Sequence, residues 1–506
     1  MNVIIQKTSY KLKNYEKYLN QKEIEKFLGK NNIKSNSKIS DLKSHQINKL
    51  NKLTFSPSIQ IDDKILPTWQ GLLENGFDNN TSARKESKYV THGLHPYKGK
   101  FYPQLVKSLF NISKIKPGSK ILDPFCGSGT TTLEGHLNGY QTFGCDLNPL
   151  AVKISQVKVE ILNLGSNKFQ KIISKFFETL DDKIDVQNPV ENFSENCRDE
   201  IKRWFPIKVT KKLVFILQKI DDVNNSEIRQ FLLIVLSSII RNISQQDPTD
   251  LRIRKRKTPI SDAPVLELFK KSLNIQIKKI TQFFTVKDSF DDTFQDPNIW
   301  LGDSRELSSL TNKIKSKVDA IFTSPPYATA LPYIDTDRLS LLTVFNYESK
   351  RRSLIEKTII GSRDIDNNKK FEIEEKIKLN QYDKIHSNKA KNLIKKIYKL
   401  NNEGNVGFRR KNMAALLYRY FNDMSQVFEN MNSVTKKHGE IFIVIGDNYT
   451  IAGDTKIIIP TTKIFKEMGT ELGWSIEQIL PISVTTEGLR HIKNSIRKNY
   501  VLHFKT

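Results

Sequence analysis

Short apolar runs that alternate with helical patterns are the main feature of this 506-residue chain. An apolar run bounded by turn residues predicts a buried strand, and apolar residues spaced by three and four predict a helix. Strands are predicted at residues 119–123, 141–145, 318–322, 440–445, 474–480 and 500–504. Because helical patterns separate most of these runs, we predict an α/β fold whose central strands are parallel.

Three long stretches lie outside the predicted sheet. Residues 1–90 are predicted to form a basic helical amino-terminal extension, with helices at residues 10–29 and 41–53. Residues 158–296 are predicted to be mainly helical, and they are far longer than an ordinary connection between two strands. Residues 335–434 are predicted to form a second helical insert, which ends in a helix at residues 413–431.

The charge of the chain favours a polyanion as partner. The sequence has 81 Lys and Arg residues against 55 Asp and Glu residues, which gives a formal net charge of +26. Such a charge attracts nucleic acid above all other partners. A coding bias toward Lys, Asn and Ile would give the same composition without a binding function, so both explanations stay open here.

Cysteine usage and hydropathy argue against several other classes of protein. Cys126, Cys145 and Cys197 form no Cys-x-x-Cys pair and no His/Cys cluster, so neither a disulfide framework nor a metal site is expected. The first residues hold no apolar segment typical of a signal peptide. The longest apolar run, residues 231–240, is too short to span a bilayer. We therefore expect a cytoplasmic protein with no membrane partner.

The strand at residues 318–322 ends in Ser324-Pro325-Pro326-Tyr327. Neither proline has an N–H for a sheet ladder, so the chain must leave the sheet here, at the end where open α/β sheets bind ligands. The Ser324 hydroxyl and the Pro325 carbonyl could accept hydrogen bonds from both hydrogens of a nucleobase amine, and Tyr327 could stack on the base. The alternative is a plain turn after a strand.

A glycine-rich turn follows the strand at residues 119–123. The turn covers residues 124–129, and a helix is predicted from Thr130, so backbone N–H groups at a helix start can approach a ligand. No Gly-Lys-Ser/Thr follows, and the dinucleotide glycine spacing is absent. Asp123 opens the turn and would repel a pyrophosphate but accept hydrogen bonds from an ammonium group. The ligand is therefore predicted to be amino-acid-like, such as S-adenosylmethionine.

Two further segments add polar and aromatic groups to this predicted pocket. Asp146 ends the next strand 17 residues after Gly129 (146 − 129), close to the spacing of about 20 at which an acid binds ribose hydroxyls. Asn148-Pro149 then begins a helix. The segment 91–103 carries Tyr97 and Phe101, which could wall a ligand pocket; the alternative is a connector.

These motifs resemble those of the amino-methyltransferases of DNA. The resemblance rests on ILDPFCGSGTT at residues 121–131, GCDLNP at 144–149 and TSPPY at 323–327. HGLHPYKGKFYP resembles the family's amino-terminal cofactor-binding segment. WLGDSREL resembles its third cofactor element, in which Asp303 would meet the cofactor's adenine. The resemblance implies a Rossmann-like, seven-stranded methyltransferase sheet with large, mainly helical inserts, closed by an antiparallel hairpin of the last two strands.

The resemblance also implies roles for individual residues. The cofactor would be S-adenosyl-L-methionine, and the target base would be flipped out of the duplex. The catalytic residues would be Ser324, Pro325, Pro326 and Tyr327. The cofactor-binding residues would be Tyr97, Phe101, Asp123, Pro124, Phe125, Gly127, Gly129, Thr130, Asp146, Asn148 and Asp303. No Pro-Cys dipeptide occurs, which argues against methylation of a ring carbon.

The resemblance divides the chain into a core and inserts. The catalytic core would comprise residues 91–157, 297–334 and 435–506. The insert at 158–296 would contact DNA through its densest basic run, unless that run is only a solvated charged surface. The run comprises Arg252, Arg254, Lys255, Arg256 and Lys257. The insert at 335–434 is a candidate for the target-recognition region, although either insert could hold it.

The sequence thus predicts a site-specific DNA methyltransferase acting on the N4 amine of cytosine, in a restriction–modification or related defence system. Serine in the first position of the Ser-Pro-Pro-Tyr tetrad is more usual for cytosine N4, while adenine N6 is the alternative. An RNA methyltransferase acting on guanine N2 and a binding protein without activity are further alternatives. The expected partners are double-stranded DNA and, as a candidate, a cognate restriction endonuclease.

Overall fold

The computed structural model describes most of the chain. The described residues are 3–29, 38–39, 42, 44–77, 86–97, 99–250, 253–289, 294–328, 333–382, 384–404, 406–483 and 498–506.

The amino-terminal extension contains a small sheet as well as helices. Its elements are β1 (Val3–Ile5), α1 (Asn14–Leu28), β2 (Lys38–Ile39), α2 (Ser44–Leu50), β3 (Ser58–Ile61), β4 (Lys64–Pro67) and α3 (Trp69–Asn75). The strands pair antiparallel in the order β2-β1-β3-β4. Helices α1 and α2 lie within the two predicted helices. The strands were not predicted, because strands of two to four residues leave no hydrophobic periodicity to read.

The first part of the main domain alternates strands and helices before a long helical segment begins. Its elements are α4 (Pro103–Ile112), β5 (Lys120–Asp123), α5 (Thr130–Leu137), β6 (Gln141–Asp146), α6 (Pro149–Glu160), α7 (Ser166–Thr179), α8 (Glu195–Trp204), α9 (Ile207–Asp221), α10 (Ser226–Ile243) and α11 (Val265–Val286). The helices predicted for residues 158–296 are confirmed.

The second part of the main domain contains the remaining strands of the main sheet and the helices between them. Its elements are β7 (Asn298–Leu301), α12 (Leu307–Ile314), β8 (Val318–Thr323), α13 (Tyr333–Phe345), α14 (Ser349–Thr358), α15 (Asn367–Lys378), α16 (Asn388–Glu403), α17 (Phe408–Lys411), α18 (Met413–Val434), β9 (Thr435–Gly446), β10 (Asn448–Ala452), β11 (Thr455–Ile459), α19 (Thr461–Glu471), β12 (Ser475–Ser483) and β13 (Lys498–Lys505).

A seven-stranded sheet in the order β12-β13-β9-β8-β5-β6-β7 forms the centre of the main domain. Strands β5 to β9 are parallel, whereas β13 runs antiparallel to both β9 and β12. The predicted seven-stranded fold with a closing hairpin is therefore confirmed. The central strand β8 is apolar at Val318, Ala320, Ile321 and Phe322, all fully buried, because helices cover both faces of the sheet.

Both helical inserts share their cores with the sheet domain. Helix α10 packs on α6 and α13, and the side chains of Ile154, Phe231 and Phe269 belong to one apolar cluster. Helix α18 buries Val427 and Phe428 in the same cluster as Ile441 of β9. Since a covering helix of the sheet lies inside residues 335–434, that insert is continuous with the core. In the described part of the chain, no helix is long and apolar enough to cross a membrane.

Candidate active site

The catalytic tetrad predicted at residues 324–327 lies beside the glycine-rich turn. Strands β5 and β8 are parallel neighbours, with Leu122 opposite Ile321, so their carboxyl ends meet at one edge of the sheet. The hydroxyl of Thr323, the last residue of β8, donates a hydrogen bond of 2.7 Å to Oδ1 of Asp123, the last residue of β5. The residues that follow each strand therefore begin next to each other.

Contacts from distant helices and strands hold the tetrad in place. The hydroxyl of Tyr420 in α18 donates to the carbonyl of Pro326 across 2.8 Å. Nδ2 of Asn448 in β10 donates to the carbonyl of Ala328, also across 2.8 Å. Gly361 lies against the tetrad, where a Cβ atom would come within 2.9 Å of the Tyr327 carbonyl oxygen. The backbone of the tetrad is thus fixed from three sides.

The tetrad keeps part of its surface accessible. Pro325 is buried, whereas Ser324, Pro326 and Tyr327 are partly exposed. Burial of the Tyr327 ring raises the pKa of its hydroxyl, while the amide of Asn499 in β13 lies against that hydroxyl and opposes the rise. The Ser324 hydroxyl and the Tyr327 ring therefore belong to residues that keep contact with solvent.

The glycine turn is held by contacts from three elements. The backbone N–H of Gly127 donates to Oδ2 of Asp146 across 2.9 Å. The hydroxyl of Ser304 donates to the carbonyl of Pro124 across 2.5 Å, which ties the third predicted cofactor element to the turn. Nζ of Lys158, at the end of α6, is fully buried and donates to the carbonyl of Ser128 across 2.6 Å. The turn is therefore preorganised.

Glycine is required at position 129. Gly129 has φ of +77°, and a Cβ atom there would lie 2.1 Å from the hydroxyl oxygen of Ser155 in α6. Helix α5 starts at the next residue, and the first N–H groups of a helix have no partner within it. The close approach of α6 to the turn thus leaves no room for a side chain at position 129.

The side chains around this turn fit S-adenosylmethionine. The hydroxyl oxygens of Ser128 and Thr130 are buried and have no hydrogen-bond partner within the described part of the chain. Buried hydroxyl groups normally find partners, so these two are available for a ligand carboxylate together with the helix N–H groups. The carboxyl groups near the turn supply negative charge for the cationic part of such a ligand.

Asp146 lies at the carboxyl end of β6 and accepts backbone hydrogen bonds. Its Oδ1 accepts from the N–H of Asn148 at 2.8 Å and its Oδ2 from that of Gly127 at 2.9 Å, and the backbone N–H of Leu147 is a third donor. Because a carboxylate has about four acceptor sites, about one remains for a ribose hydroxyl. Asp146 stays partly exposed.

Asn148 connects the lead-in segment to the helix that follows the tetrad. Its Oδ1 accepts from the N–H of Leu150 and caps α6. Its Nδ2 donates to Oδ2 of Asp337 at 2.9 Å and to the hydroxyl of Tyr97 at 3.3 Å. The ring of Tyr97 also lies within van der Waals reach of Gly127. The structure thus brings Tyr97, Asn148 and Asp146 together.

Three carboxyl groups around the turn have raised pKa values. Burial raises the pKa of Asp123 to about 6, although hydrogen bonds from Thr323, Thr131 and the Phe125 N–H oppose the rise. Burial raises the pKa of Asp337 to about 7 against the Asn148 amide and the Arg241 charge. Burial also raises the pKa of Asp146. Since desolvation disfavours the charged form, a bound cation would relieve the cost of ionising this pocket.

Three other residues predicted to bind the cofactor have side chains that already contact other parts of the protein. Phe101 packs against the apolar cluster on the α4 side of the sheet, and Phe125 packs against the cluster on the α18 side. Asp303 forms an ion pair with Arg305, whose Nη2 lies 2.6 Å from Oδ2, and Arg305 also pairs with Asp423. The carboxylate predicted to meet the adenine is therefore already engaged.

The basic run in the first insert is part of a folded hairpin. Arg252 lies outside the described residues. Arg256 donates to the carbonyls of Ser244 at 2.9 Å and Asn242 at 2.7 Å, which caps the carboxyl end of α10. The pairing of Gln246 with Lys255 closes the hairpin. Arg256 thus has a structural role that the charge pattern did not reveal.

The remaining basic residues of the run differ in their contacts. Nε of Arg254 lies 3.2 Å from Asp250, Nζ of Lys255 lies 5.9 Å from the centre of the Trp204 ring, and Lys257 is exposed. The N–H of Ile253 donates to the carboxylate of Asp335 in the first turn of α13. The hairpin therefore lies beside the helix that leads away from the catalytic tetrad.

Within the described residues, no group of three or more His, Cys, Asp and Glu side chains could hold a metal ion. Several contacts of the site were not predicted from the sequence, above all those of Tyr420, Asn448 and Lys158. Their partners lie at least 30 positions away, and no local motif marks them.

The comparisons with known proteins agree with the motifs. Residues 3–157 match the family model N6_N4_Mtase, described as DNA methylase. The Type II methyltransferase M.MjaII of Methanocaldococcus jannaschii is 26% identical over 50% of this chain and 62% of its own length. M.MvaI of Kocuria varians is 25% identical over 50% of this chain and 57% of its own length. The chain thus spans less than two thirds of these relatives.

Two other comparisons concern a tRNA methyltransferase and a protein of known structure. A tRNA (guanine(10)-N2)-dimethyltransferase of Methanocaldococcus jannaschii is 27% identical over 24% of this chain and 36% of its own length. The solved rRNA methyltransferase aviRa from Streptomyces viridochromogenes covers 81% of this chain and 87% of its own, with 9% identity and a TM-score of 0.28, too low to support an argument. The resemblance to DNA amino-methyltransferases is confirmed by the family and Type II matches, and it implies S-adenosyl-L-methionine as the cofactor.

Proposed function

We propose that the protein is a site-specific DNA methyltransferase, because its residues 3–157 match the DNA methylase family model. It transfers a methyl group from S-adenosyl-L-methionine to the exocyclic N4 of cytosine in double-stranded DNA. Its Type II relatives support a place in a restriction–modification or related defence system, with a cognate restriction endonuclease as candidate partner.

One observation carries this proposal: the tetrad at residues 324–327 and the glycine turn start side by side. The hydrogen bond of 2.7 Å between Thr323 and Asp123 fixes the two strand ends relative to each other. A donor bound at the turn and a base held by the tetrad would therefore be neighbours. Holding two reactants in one geometry supplies a large part of the rate in such reactions.

The residues around the turn would bind and orient the cofactor, which supplies an electrophilic methyl group when bound. The start of α5, with the hydroxyls of Ser128 and Thr130, would receive the cofactor's carboxylate. Asp123 would meet its ammonium group and Asp146 its ribose hydroxyls. Tyr97 would wall the site beside Gly127.

The tetrad would bind the extruded base. The Ser324 hydroxyl and the Pro325 carbonyl would accept hydrogen bonds from the target amine, and Tyr327 would stack on the ring. Two acceptors on one amine favour a pyramidal nitrogen, which exposes its lone pair toward the donor. The hydrogen bond from Tyr420 to the Pro326 carbonyl keeps this platform from moving during the reaction.

The inserts would supply the contacts to the duplex. Arg254, Lys255 and Lys257 lie on a hairpin whose Ile253 N–H donates to Asp335 of α13, the first helix after the tetrad in the chain. We assign them to phosphate contacts, in line with the net charge of +26. Residues 335–434 would read the target sequence.

Two alternatives follow from specific observations. The family model covers N6 and N4 enzymes together, which keeps adenine N6 as a target. Partial matches to tRNA (guanine(10)-N2)-dimethyltransferases keep guanine N2 in RNA as another. Serine at position 324 favours cytosine N4 over both, because Asp or Asn is more usual there in the other classes.

A single incubation separates these candidates. The protein is mixed with methyl-labelled S-adenosylmethionine and either amplified, unmethylated duplex DNA or unmodified tRNA transcripts, and the nucleosides are identified by mass. We expect N4-methylcytosine from DNA. N6-methyladenine or N2-methylguanine would select an alternative, and no labelled nucleoside from either substrate would refute the proposal.

A further inference from the structure

A two-stranded ribbon lies at the end of the sheet that carries the tetrad. Strands β10 and β11 pair antiparallel from Asn448 opposite Ile459 to Ala452 opposite Thr455, and they form a sheet separate from the main one. Gly453 and Asp454 make the turn between them. The ribbon follows β9, whose neighbour β8 leads into the tetrad.

One face of the ribbon packs on the protein. Ala452 and Ile459 are fully buried and Ile457 nearly so, and all three belong to the apolar cluster that contains α18. Helix α16 packs against β10. This face therefore explains why the ribbon folds where it does.

The opposite face is apolar as well, but it is exposed. The register places Tyr449 opposite Ile458 and Ile451 opposite Lys456, so these side chains share one face. Ile451 is 40% exposed and Ile458 is 63% exposed. Nζ of Lys456 lies 4.0 Å from the centre of the Tyr449 ring. Apolar side chains held outward in a group are typical of a contact surface.

Hydrogen bonds at both ends fix the ribbon. At its base, Nδ2 of Asn448 donates to the carbonyl of Ala328, the residue after the tetrad. At its turn, the N–H of Gly453 donates to Oδ1 of the buried Asn401 at 3.0 Å, and Arg410 donates to the Gly453 carbonyl at 3.3 Å. The ribbon is thus held at its base to the residue after the tetrad and at its turn to Asn401 and Arg410.

The charges near this face match a polyanion. Lys456 lies on the face itself, Arg410 contacts its turn, and Lys411 is exposed next to Arg410. Asp454 in the turn is exposed and opposes them, while the nearby Glu403 is paired with Lys399. An apolar surface bordered by cations suits a nucleic acid, which offers phosphates at its edge and base surfaces inside.

We propose that the outward face of this ribbon docks against the DNA duplex beside the extruded base, a proposal that rests on the proposed function. A two-stranded ribbon has the width that a major groove admits. Removing a base from the stack exposes the apolar surfaces of its neighbours, and apolar side chains placed against such a step offset the lost stacking. Ile451 and Ile458 take this position, while Lys456 contacts the backbone.

The test replaces both isoleucines by threonine, which keeps the β-branched shape that strands favour and removes the apolar surface. The matched control is Ile65→Thr with Leu66→Thr on β4, where the two side chains are 61% and 40% exposed. Methyl transfer to amplified, unmethylated duplex DNA is measured as kcat and KM, together with cofactor affinity and the midpoint of thermal unfolding.

We expect the ribbon variant to raise KM for DNA about tenfold, because two apolar contacts are lost. Its cofactor affinity and unfolding midpoint should match wild type, and the β4 control should change none of these quantities. The single variant Ile458→Thr should show part of the effect. A duplex with a mismatch at the target base should recover much of the loss, since it is already partly unstacked.

The outcomes separate the two proposals. If wild type methylates DNA and the ribbon variant has the same KM, the docking proposal is overturned and the proposed function stands. If sedimentation shows that the variant dissociates a dimer, the face binds a second copy of this chain and the docking proposal is again overturned. If wild type methylates no DNA, both proposals fail.

Discussion

The hydroxyl of Thr323 donates a hydrogen bond of 2.7 Å to the carboxylate of Asp123, although 200 positions separate the two residues in the chain. Thr323 is the last residue of β8 and Asp123 the last of β5. The contact links the strand end that leads into the tetrad with the strand end that opens the glycine turn. A change at either residue should therefore be felt at both proposed binding positions.

Replacement of Thr323 by valine should destabilise the fold by about 1–3 kcal/mol, because a buried carboxylate oxygen loses its donor. The folded-state pKa of Asp123 is raised to about 6, so stability from this group is present below the unfolded value of about 3.9 and is lost as pH rises through about 6. Removing the hydroxyl raises that pKa further. The destabilisation should thus be larger at about pH 8 than at about pH 5.

Urea unfolding at both pH values measures this difference. Thr323→Ser keeps the hydroxyl and serves as the control, which should lose only the stability of one methyl group. Equal losses for the valine variant at the two pH values would contradict the assigned contact.

The strands of the main sheet could be predicted because each is a buried apolar run. The predictions for β5, β6, β8, β9, β12 and β13 agree with the structure to within a few residues, apart from the longer start of β9. The ribbon β10–β11 was not predicted, since its strands are short and one face remains exposed. The amino-terminal sheet was missed for a similar reason, as β4 is exposed along its whole length.

The site could be predicted only where its residues are close in sequence. Asp123 and Gly129 belong to one strand, turn and helix, and the local pattern contains all of them. The contact of Tyr420 with Pro326 depends on how α18 packs across the sheet, 94 positions later. The ion pair of Arg305 with Asp423 likewise depends on the position of α18, 118 positions later in the chain. Local sequence does not encode such tertiary distances.

Replacement of Ser324 by alanine should lower the rate of methyl transfer on the order of 100-fold or more, because an acceptor aligned with the target amine is lost. The proposed cofactor contacts lie at the glycine turn, so cofactor affinity should remain. Single-turnover rates and calorimetric binding measure the two quantities. Ser316→Ala, an exposed serine before the other end of β8, is the control. Unchanged turnover in the Ser324 variant would refute its role.

Replacement of Tyr420 by phenylalanine should lower turnover several-fold and cost about 1 kcal/mol of stability, since the Pro326 carbonyl loses its donor. Tyr382→Phe is a matched control from the same apolar cluster. The Tyr382 hydroxyl is buried without a hydrogen-bond partner in the described part of the chain, so its removal should be neutral or stabilising. Identical effects of the two variants would show that the contact with Pro326 does not matter.

The affinity for S-adenosylmethionine should fall as pH decreases from about 7.5 to about 5.5, because Asp123 and Asp337 become protonated near about 6 and 7. The cofactor is a cation and favours the ionised carboxylates. S-adenosylhomocysteine lacks the sulfonium charge and should show a weaker dependence. Calorimetry over this range checks both ligands.

Asp337→Asn should remove part of this pH dependence, because the amide keeps an acceptor for Asn148 without the charge. A parallel decline for both ligands would show that the carboxyl groups do not sense the sulfonium.

Two neighbouring basic residues of the first insert should affect different properties, Lys257 the DNA affinity and Arg256 the stability of the fold. Lys257 is exposed, so Lys257→Gln should weaken DNA binding and reduce the slope of log affinity against log salt by about 1, with unfolding unchanged. Arg256 donates to two carbonyls at the end of α10, so Arg256→Gln should lower the free energy of unfolding by about 1–3 kcal/mol.

Fluorescence anisotropy with a labelled duplex over a salt series measures the effect of Lys257→Gln on DNA binding, and urea unfolding measures the effect of Arg256→Gln on stability. The wild-type slope itself should be steep, given the net charge of +26. A Lys257 variant whose slope equals that of wild type would place the basic run away from the DNA, and a flat response of wild type would count against binding led by charge.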